Sequence, residues 1–134
     1  PMAQSEQIGV ISYSPLAGGL LTGKYRDGMP REGRFVEQEN YRLRYEEQIY
    51  HETANRFVEY AEEQGYHPAT LAVAWVMSHP AVTAPIIGAR NVEQLEPSLA
   101  AAKIEMTPEW RAQISELSVA PLPAPDRSEE LNKK

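Results

Sequence analysis

The sequence of 134 residues is 42% hydrophobic and 24% charged, with a net charge of −6, which is the ordinary composition of one soluble domain. No apolar run approaches the ~20 residues of a membrane span, the acidic balance argues against nucleic acid, and the lack of cysteine excludes disulfides and thiolate metal sites. We expect a cytoplasmic protein without membrane or nucleic-acid contacts, and the opening Pro1 without a signal peptide suggests a fragment or a processed chain.

Charge is distributed unevenly along the chain. Residues 1–44 carry six basic and five acidic residues, whereas residues 45–134 carry seven basic and fourteen acidic ones. A local basic cluster on an acidic chain suits a small anion better than a polyanion. A solvated loop of mixed charge explains the same pattern, so composition leaves both interpretations open.

The first predicted element is a strand followed by a glycine-rich segment. Residues 8–14 (IGVISYS) are rich in β-branched and aromatic residues and stop at Pro15, which predicts a short strand buried on both faces. Residues 18–24 (GGLLTGK) fit the first seven positions of a phosphate loop. The eighth position is Tyr25 in place of the Ser or Thr that holds Mg²⁺, and turn residues follow in place of a helix. The segment therefore does not predict a nucleotide triphosphatase.

A long loop and an amphipathic helix come next. Residues 26–44 contain glycine and proline without a clear period, which predicts a loop of a length typical of lids and binding loops. Residues 45–64 predict a helix that ends at Gly65, where a left-handed residue is needed. The apolar face of this helix consists of Tyr50, Ala54, Phe57, Val58 and Ala61.

The second half of the chain adds further helices and one more strand. A helix is predicted to open at His67-Pro68 and to be apolar on all sides over residues 71–77, and a buried strand is predicted at residues 83–88 (TAPIIG). Two more helices are predicted, one over residues 92–102 capped by Asn91 and one over residues 108–118 capped by Thr107. A Pro-rich charged tail is predicted over residues 119–134. Two buried strands separated by helices imply parallel pairing in a helix-covered sheet. Because two strands alone make no stable sheet, the chain looks like part of a larger α/β fold.

The two strand ends carry the most specific pattern. The first strand ends in residues 13–17 (YSPLA), followed by residues 18–25 (GGLLTGKY), and the second ends in residues 85–95 (PIIGARNVEQL). Ligands of parallel α/β folds gather at such carboxyl ends. Together and in this order, the motifs resemble the last two strand ends of the aldo-keto reductases, (β/α)₈-barrel enzymes that bind NADP(H). The likeness is greatest to the branch with potassium-channel β subunits and many bacterial reductases.

The resemblance implies a fold and a cofactor site. Residues 1–118 would form the C-terminal part of a (β/α)₈ TIM barrel, with two parallel strands and flanking helices, incomplete on its own. The implied NADP(H)-binding residues are Tyr13 against the nicotinamide, Ser14 and Leu16 at the pyrophosphate, Lys24 and Arg34 near the phosphates, and Gly88, Arg90 and Gln94 at the adenosine end. Arg90 would face the 2′-phosphate, for which a guanidinium offers a planar fork, so NADP(H) would be preferred over NAD(H).

Each of these residues also has an explanation without a ligand. Tyr13 on a strand is more often core or rim than a cofactor stack. Gln94 lies three residues after Asn91, which is the spacing of a capping box. Lys24 and Arg34 lie in a charged loop, where such side chains are usually solvated.

The chain departs from the family pattern at the adenine end. Family members commonly have Glu then Asn where this chain has Pro97 and Ser98, and that pair contacts the adenine. Pro97 can make no such contact, and inside a helix it removes a hydrogen bond, which predicts a kink or a restart of the helix there. Ser98 would substitute only weakly for the amide.

No catalytic residue is assigned within the chain. The family's catalytic Tyr, Lys, Asp and frequent His lie on earlier strands, and nothing in this sequence matches them. His51-Glu52 resembles half of a zincin motif, but residue 55 is Asn in place of the second histidine. His67 and His79 precede prolines at helix boundaries and are interpreted as structural.

Three functions are compatible with the resemblance. The first is the cofactor-binding C-terminal portion of an NADPH-dependent reductase of small aldehydes or ketones. The second is a non-enzymatic NADP-binding regulatory subunit, and the third is a truncated remnant that only packs with a partner. In each case the expected partner is the remainder of the barrel, or an oligomer that covers the same apolar faces.

Overall fold

Short strands and helices follow one another in the computed structural model, which describes residues 2–119. In chain order they are α1 (Met2–Ser5), β1 (Ile11–Tyr13), α2 (Arg34–Glu37), α3 (Glu39–Arg44), α4 (Gln48–Glu63), α5 (Pro68–Met77), β2 (Ala84–Ile86), α6 (Val92–Ala100) and α7 (Pro108–Ser115), with 3₁₀ turns at Ala17–Thr22 and Ala101–Lys103. The predicted tail lies outside the described residues from residue 120 onward. Among residues 2–119, none of the helices combines the length and the apolar character that a membrane crossing requires.

The two strands pair in parallel, as the sequence predicts. Ile11 lies opposite Ala84, and Tyr13 lies opposite Ile86. The two carboxyl strand ends therefore meet at one edge. The expected burial of both strand faces is wrong for this chain, because Ile11, Tyr13 and Ile86 are 65%, 72% and 56% exposed. Residues 2–119 supply no third strand to extend this sheet or to cover its side chains.

The main core lies between α4, α5 and α7. It consists of Phe57, Ala61, Leu71, Ala72 and Ile114. The predicted apolar face of α4 is buried except for Tyr50, which is exposed. α5 is buried continuously from Pro68 to Ala74, which confirms the first part of the stretch predicted to be apolar on all sides. Trp75 and Val76 are only partly buried, and Met77 is exposed. This helix is the interior element of the described chain.

The helix ends follow from local sequence. His67 Nδ1 accepts a 3.1 Å hydrogen bond from the Ala69 N–H at the start of α5, and Thr107 Oγ1 accepts one from the Trp110 N–H at the start of α7. Gly65, just after α4, has the predicted left-handed conformation with φ 76°. The two side chains satisfy backbone donors that lack helical partners. The turn at Gly65 instead satisfies an acceptor, because the Tyr66 N–H donates to the Ala61 carbonyl oxygen at 2.9 Å.

The segment predicted as a structureless loop, residues 26–44, instead contains α2 and α3. Phe35 is only 2% exposed, and its ring lies between Tyr25, with ring centroids 4.3 Å apart, and Tyr45, with centroids 5.6 Å apart. The Phe35 N–H donates to Tyr25 Oη at 3.1 Å. This small aromatic core orders the segment, and helices this short carry no periodicity that a sequence pattern could reveal.

Candidate functional site

A cleft of about 730 Å³ opens where the two strands end. It is lined by all eight residues predicted to bind a cofactor, namely Tyr13, Ser14, Leu16, Lys24, Arg34, Gly88, Arg90 and Gln94. These residues come from β1, the glycine-rich turn, α2 and the β2–α6 junction. The fold therefore brings the predicted set together, while the role of each residue stays a prediction.

The backbone after β1 takes an unusual path along the cleft. Ser14 and Ala17 have φ values of 58° and 49°, a left-handed conformation that non-glycine residues seldom adopt and that is often found at ligand sites. A Cβ placed on Gly19 would lie 2.7 Å from Lys24 Cε. The glycine therefore allows the lysine stem to lie directly on the turn. No helix begins between Lys24 and Arg34, so a phosphate loop is not formed.

Aromatic rings hold two of the basic side chains of the cleft. The Arg34 guanidinium lies 5.0 Å from the Tyr41 ring and donates a 3.3 Å hydrogen bond to Tyr41 Oη. Arg44 lies 5.2 Å from the same ring, and Lys24 Nζ lies 5.0 Å from the Tyr25 ring. Sequence reasoning did not single out Tyr41 as a cleft residue, because its spacing from the strand ends follows no motif. A cation–π contact does not itself use the N–H groups of a guanidinium or ammonium as hydrogen-bond donors.

Arg90, in contrast, is engaged by an acidic residue. Arg90 Nη1 donates to Glu37 Oε1 at 2.7 Å, and Arg90 Nη2 donates to Glu37 Oε2, so the pair is bidentate. Hydrogen bonding to Arg90 lowers the pKa of Glu37, and the carboxylate correspondingly raises the pKa of Arg90. Sequence reasoning missed Glu37, which stands 53 residues from its partner.

The start of α6 beside Arg90 is capped by its own side chains. Asn91 Oδ1 accepts a 2.9 Å hydrogen bond from the Gln94 N–H, as the predicted cap requires. Gln94 Oε1 accepts a 3.3 Å bond from the Arg90 N–H. Gln94 thus joins the cap to the backbone that carries Arg90, which is close to the capping-box arrangement. It shapes the cleft even without a ligand.

The departures at Pro97 and Ser98 have structural explanations. α6 runs through Pro97 without the predicted restart, and Thr70 Oγ1 donates a 2.6 Å hydrogen bond to the Pro97 carbonyl. Tertiary contact with α5 thus supports the helix at the proline. Ser98 is 4% exposed and is not among the residues that line the cleft. Its weak substitution for the adenine-binding amide stays a prediction.

The histidines of the chain have structural contacts. His79 Nδ1 accepts from the Ala81 N–H at 3.1 Å, and His51 Nε2 lies 2.9 Å from the Tyr45 carbonyl oxygen. His67 lines the cleft while capping α5. Within residues 2–119, no group of three or more His, Cys, Asp or Glu residues is placed to hold a metal ion. The three histidines therefore have contacts within the fold that need no ligand.

Comparison with known proteins identifies relatives along almost the whole described chain. The model of the aldo/keto reductase family matches residues 1–119. The "uncharacterized oxidoreductase YrpG" of Bacillus subtilis is 36% identical over 90% of this chain and 35% of its own length. The "L-glyceraldehyde 3-phosphate reductase" of Escherichia coli is 33% identical over 73% of this chain and 30% of its own. A "putative voltage-gated potassium channel subunit beta" of Schizosaccharomyces pombe is 33% identical over 87% of this chain and 36% of its own. The chain thus spans about a third of the length of these curated relatives.

Proposed function

The chain belongs to the aldo/keto reductase family, and from that membership we propose that it is the cofactor-binding C-terminal portion of an NADPH-dependent reductase of aldehydes or ketones. The observation that carries this proposal is the meeting of Lys24, Arg34 and Arg90 around one cleft at the carboxyl ends of two parallel strands. Parallel α/β folds bind ligands at this edge. Several basic groups there favour a ligand with several phosphates.

The residues present fit such a dinucleotide. The cleft volume of 730 Å³ lies within the ~300–1,000 Å³ of typical ligand pockets. The missing side chain of Gly19 leaves room for the Lys24 stem, so that this lysine lines the cleft. Apolar lining from Leu16, Ile87 and Pro97 accompanies the basic groups, as suits a ligand with flat rings as well as charge.

Within this proposal the chain binds and orients the cofactor. When bound, the nicotinamide supplies the hydride that a carbonyl carbon accepts. Tyr13, exposed at the end of β1, offers a flat ring to one face of the nicotinamide. Ser14 and Leu16 follow at the pyrophosphate, and Lys24 and Arg34 offset phosphate charge. The acid that protonates the carbonyl oxygen, and its Lys and Asp partners, belong to strands outside this chain.

The rest of a barrel is the proposed partner of the exposed sheet. The interior of a (β/α)₈ barrel is filled by layers of side chains from alternate strands. Ile11, Tyr13 and Ile86 stand exposed in this chain, without such layers. We propose that the missing strands come from the same protein or from an oligomer. A cytoplasmic location stays a prediction from composition. The relatives named as oxidoreductase and reductase support a catalytic role over a regulatory one.

Substitution of Arg90 tests the cofactor assignment. The assay uses the natural protein that contains these residues, purified together with the remaining strands of its barrel; we call this the intact protein. Binding of NADP⁺ and of NAD⁺ to it is measured by calorimetry. Arg90→Ala should weaken NADP⁺ binding roughly tenfold or more and NAD⁺ binding far less, because only NADP⁺ loses a charge-assisted contact. Arg42→Ala is the matched control, since Arg42 pairs with Glu39 on α3. Equal losses for both cofactors would show that Arg90 only supports the fold, and an intact protein that binds neither cofactor would overturn the proposed function.

A further inference from the structure

The basic fork at the adenosine end of the cleft is already occupied by a side chain of the same protein. Both terminal nitrogens of Arg90 donate to the two carboxylate oxygens of Glu37. A bidentate carboxylate uses the same donors, in the same plane, that a phosphate group would use. Glu37 and a phosphate therefore cannot both take the full fork of Arg90.

The position of Glu37 does not depend on Arg90 alone. Glu37 is the last residue of α2, and its N–H donates to the Gly33 carbonyl oxygen at 3.0 Å. Two residues earlier, Phe35 is buried between Tyr25 and Tyr45 and anchors the same turn. The lowered pKa of Glu37 keeps this carboxylate ionised. A fixed negative charge thus stands beside the guanidinium before any ligand arrives.

The two forms of the dinucleotide differ in how they meet this charge. A ribose 2′-hydroxyl can donate a hydrogen bond to a carboxylate, the arrangement by which acidic residues accept NAD in other folds. A 2′-phosphate has to displace the same carboxylate from the arginine before it can take the full fork. The presence of Arg90 alone suggests a strong preference for the phosphorylated form, and the pair with Glu37 reduces that preference.

We propose that Glu37 is a specificity-determining residue of this cleft, which competes with the 2′-phosphate for Arg90 and so lowers the preference for NADP(H) over NAD(H). This inference rests on the proposed function, since it assumes an adenosine phosphate at this end of the cleft. Glu37 acts through Arg90, so its effect disappears when Arg90 is removed.

The test compares two adenosine ligands on the intact protein by calorimetry. Adenosine 2′,5′-bisphosphate carries the 2′-phosphate, and adenosine 5′-monophosphate lacks it. Glu37→Gln keeps the size of the side chain and removes its charge. We expect it to strengthen bisphosphate binding roughly two- to fivefold, the range of a half-exposed ion pair, with little change for the monophosphate. Glu39→Gln, which removes an acid paired with Arg42 on the neighbouring helix, should change neither affinity.

An Arg90→Ala background separates competition from a structural effect. The gain from Glu37→Gln should vanish in the double variant Glu37→Gln/Arg90→Ala if Glu37 works through the arginine. A gain that persists there, or equal gains for both ligands, overturns the inference. If the natural protein binds the bisphosphate and Glu37→Gln binds it no more tightly, the inference about Glu37 is overturned, while the proposed function stays in place. Failure of both the natural protein and Glu37→Gln to bind either ligand overturns the proposed function as well.

Discussion

A single hydroxyl group, that of Tyr25, is expected to hold α2 in place. This helix carries Arg34, which lines the cleft, and Glu37, which pairs with Arg90. Tyr25 Oη accepts a 3.1 Å hydrogen bond from the Phe35 N–H, and the two rings stack with centroids 4.3 Å apart. Tyr25 and Phe35 are 6% and 2% exposed. The Phe35 N–H belongs to the first turn of α2, where no helical acceptor exists. Tyr25→Phe retains the stacked ring and removes this acceptor.

The magnitude follows from the burial of that donor. A buried donor that loses its acceptor costs about 1–3 kcal/mol. α2 is only one turn long and depends on tertiary contacts for its stability, so this cost should appear as easier local opening of α2. Exchange of the α2 amide hydrogens should therefore become roughly 5- to 150-fold faster.

Hydrogen–deuterium exchange followed by mass spectrometry on the intact protein measures this opening. Peptides covering residues 33–44 should exchange faster in Tyr25→Phe, while peptides from α5 should not change. Tyr45→Phe is the matched control, because it removes a hydroxyl from the other side of the Phe35 ring and not from the start of α2. Unchanged exchange in Tyr25→Phe, or the same acceleration in both variants, would refute the role assigned to the hydroxyl.

Two further predictions concern stability. Thr70→Val removes the donor to the Pro97 carbonyl oxygen and should lower the melting temperature of the intact protein by a few degrees in a thermal scan. Thr70→Ser keeps the hydroxyl and should lower the melting temperature less. Residues 1–134 expressed alone should not form a compact monomer, since Ile11, Tyr13 and Ile86 remain exposed and each apolar side chain left in water forgoes ~1.5–3 kcal/mol. Size-exclusion chromatography and thermal unfolding check this, and a monodisperse, cooperatively unfolding monomer would contradict the partial-barrel argument.

The sequence alone was sufficient for the features that depend on neighbouring residues. The caps at Asn91 and Thr107 and the left-handed Gly65 follow from groups within one helical turn of each other. The strand-end motifs predicted the family, and the parallel order of the two strands predicted that their ends meet at one edge. Because those ends carry the predicted cofactor residues, the sequence was enough to locate most of the cleft.

Only the tertiary structure decided the features that join distant parts of the chain. The pair of Glu37 with Arg90, the aromatic stack around Phe35 and the support of Pro97 by Thr70 link residues that no sequence spacing relates. The structure also corrected the expected burial of the strands, since an apolar strand sequence predicts a buried sheet but does not say which chain segment covers it. Local propensity acts over a few residues, whereas these contacts form only after folding has brought distant segments of the chain together. The Glu37–Arg90 pair is such a contact, and it changes the charge at one end of the cleft.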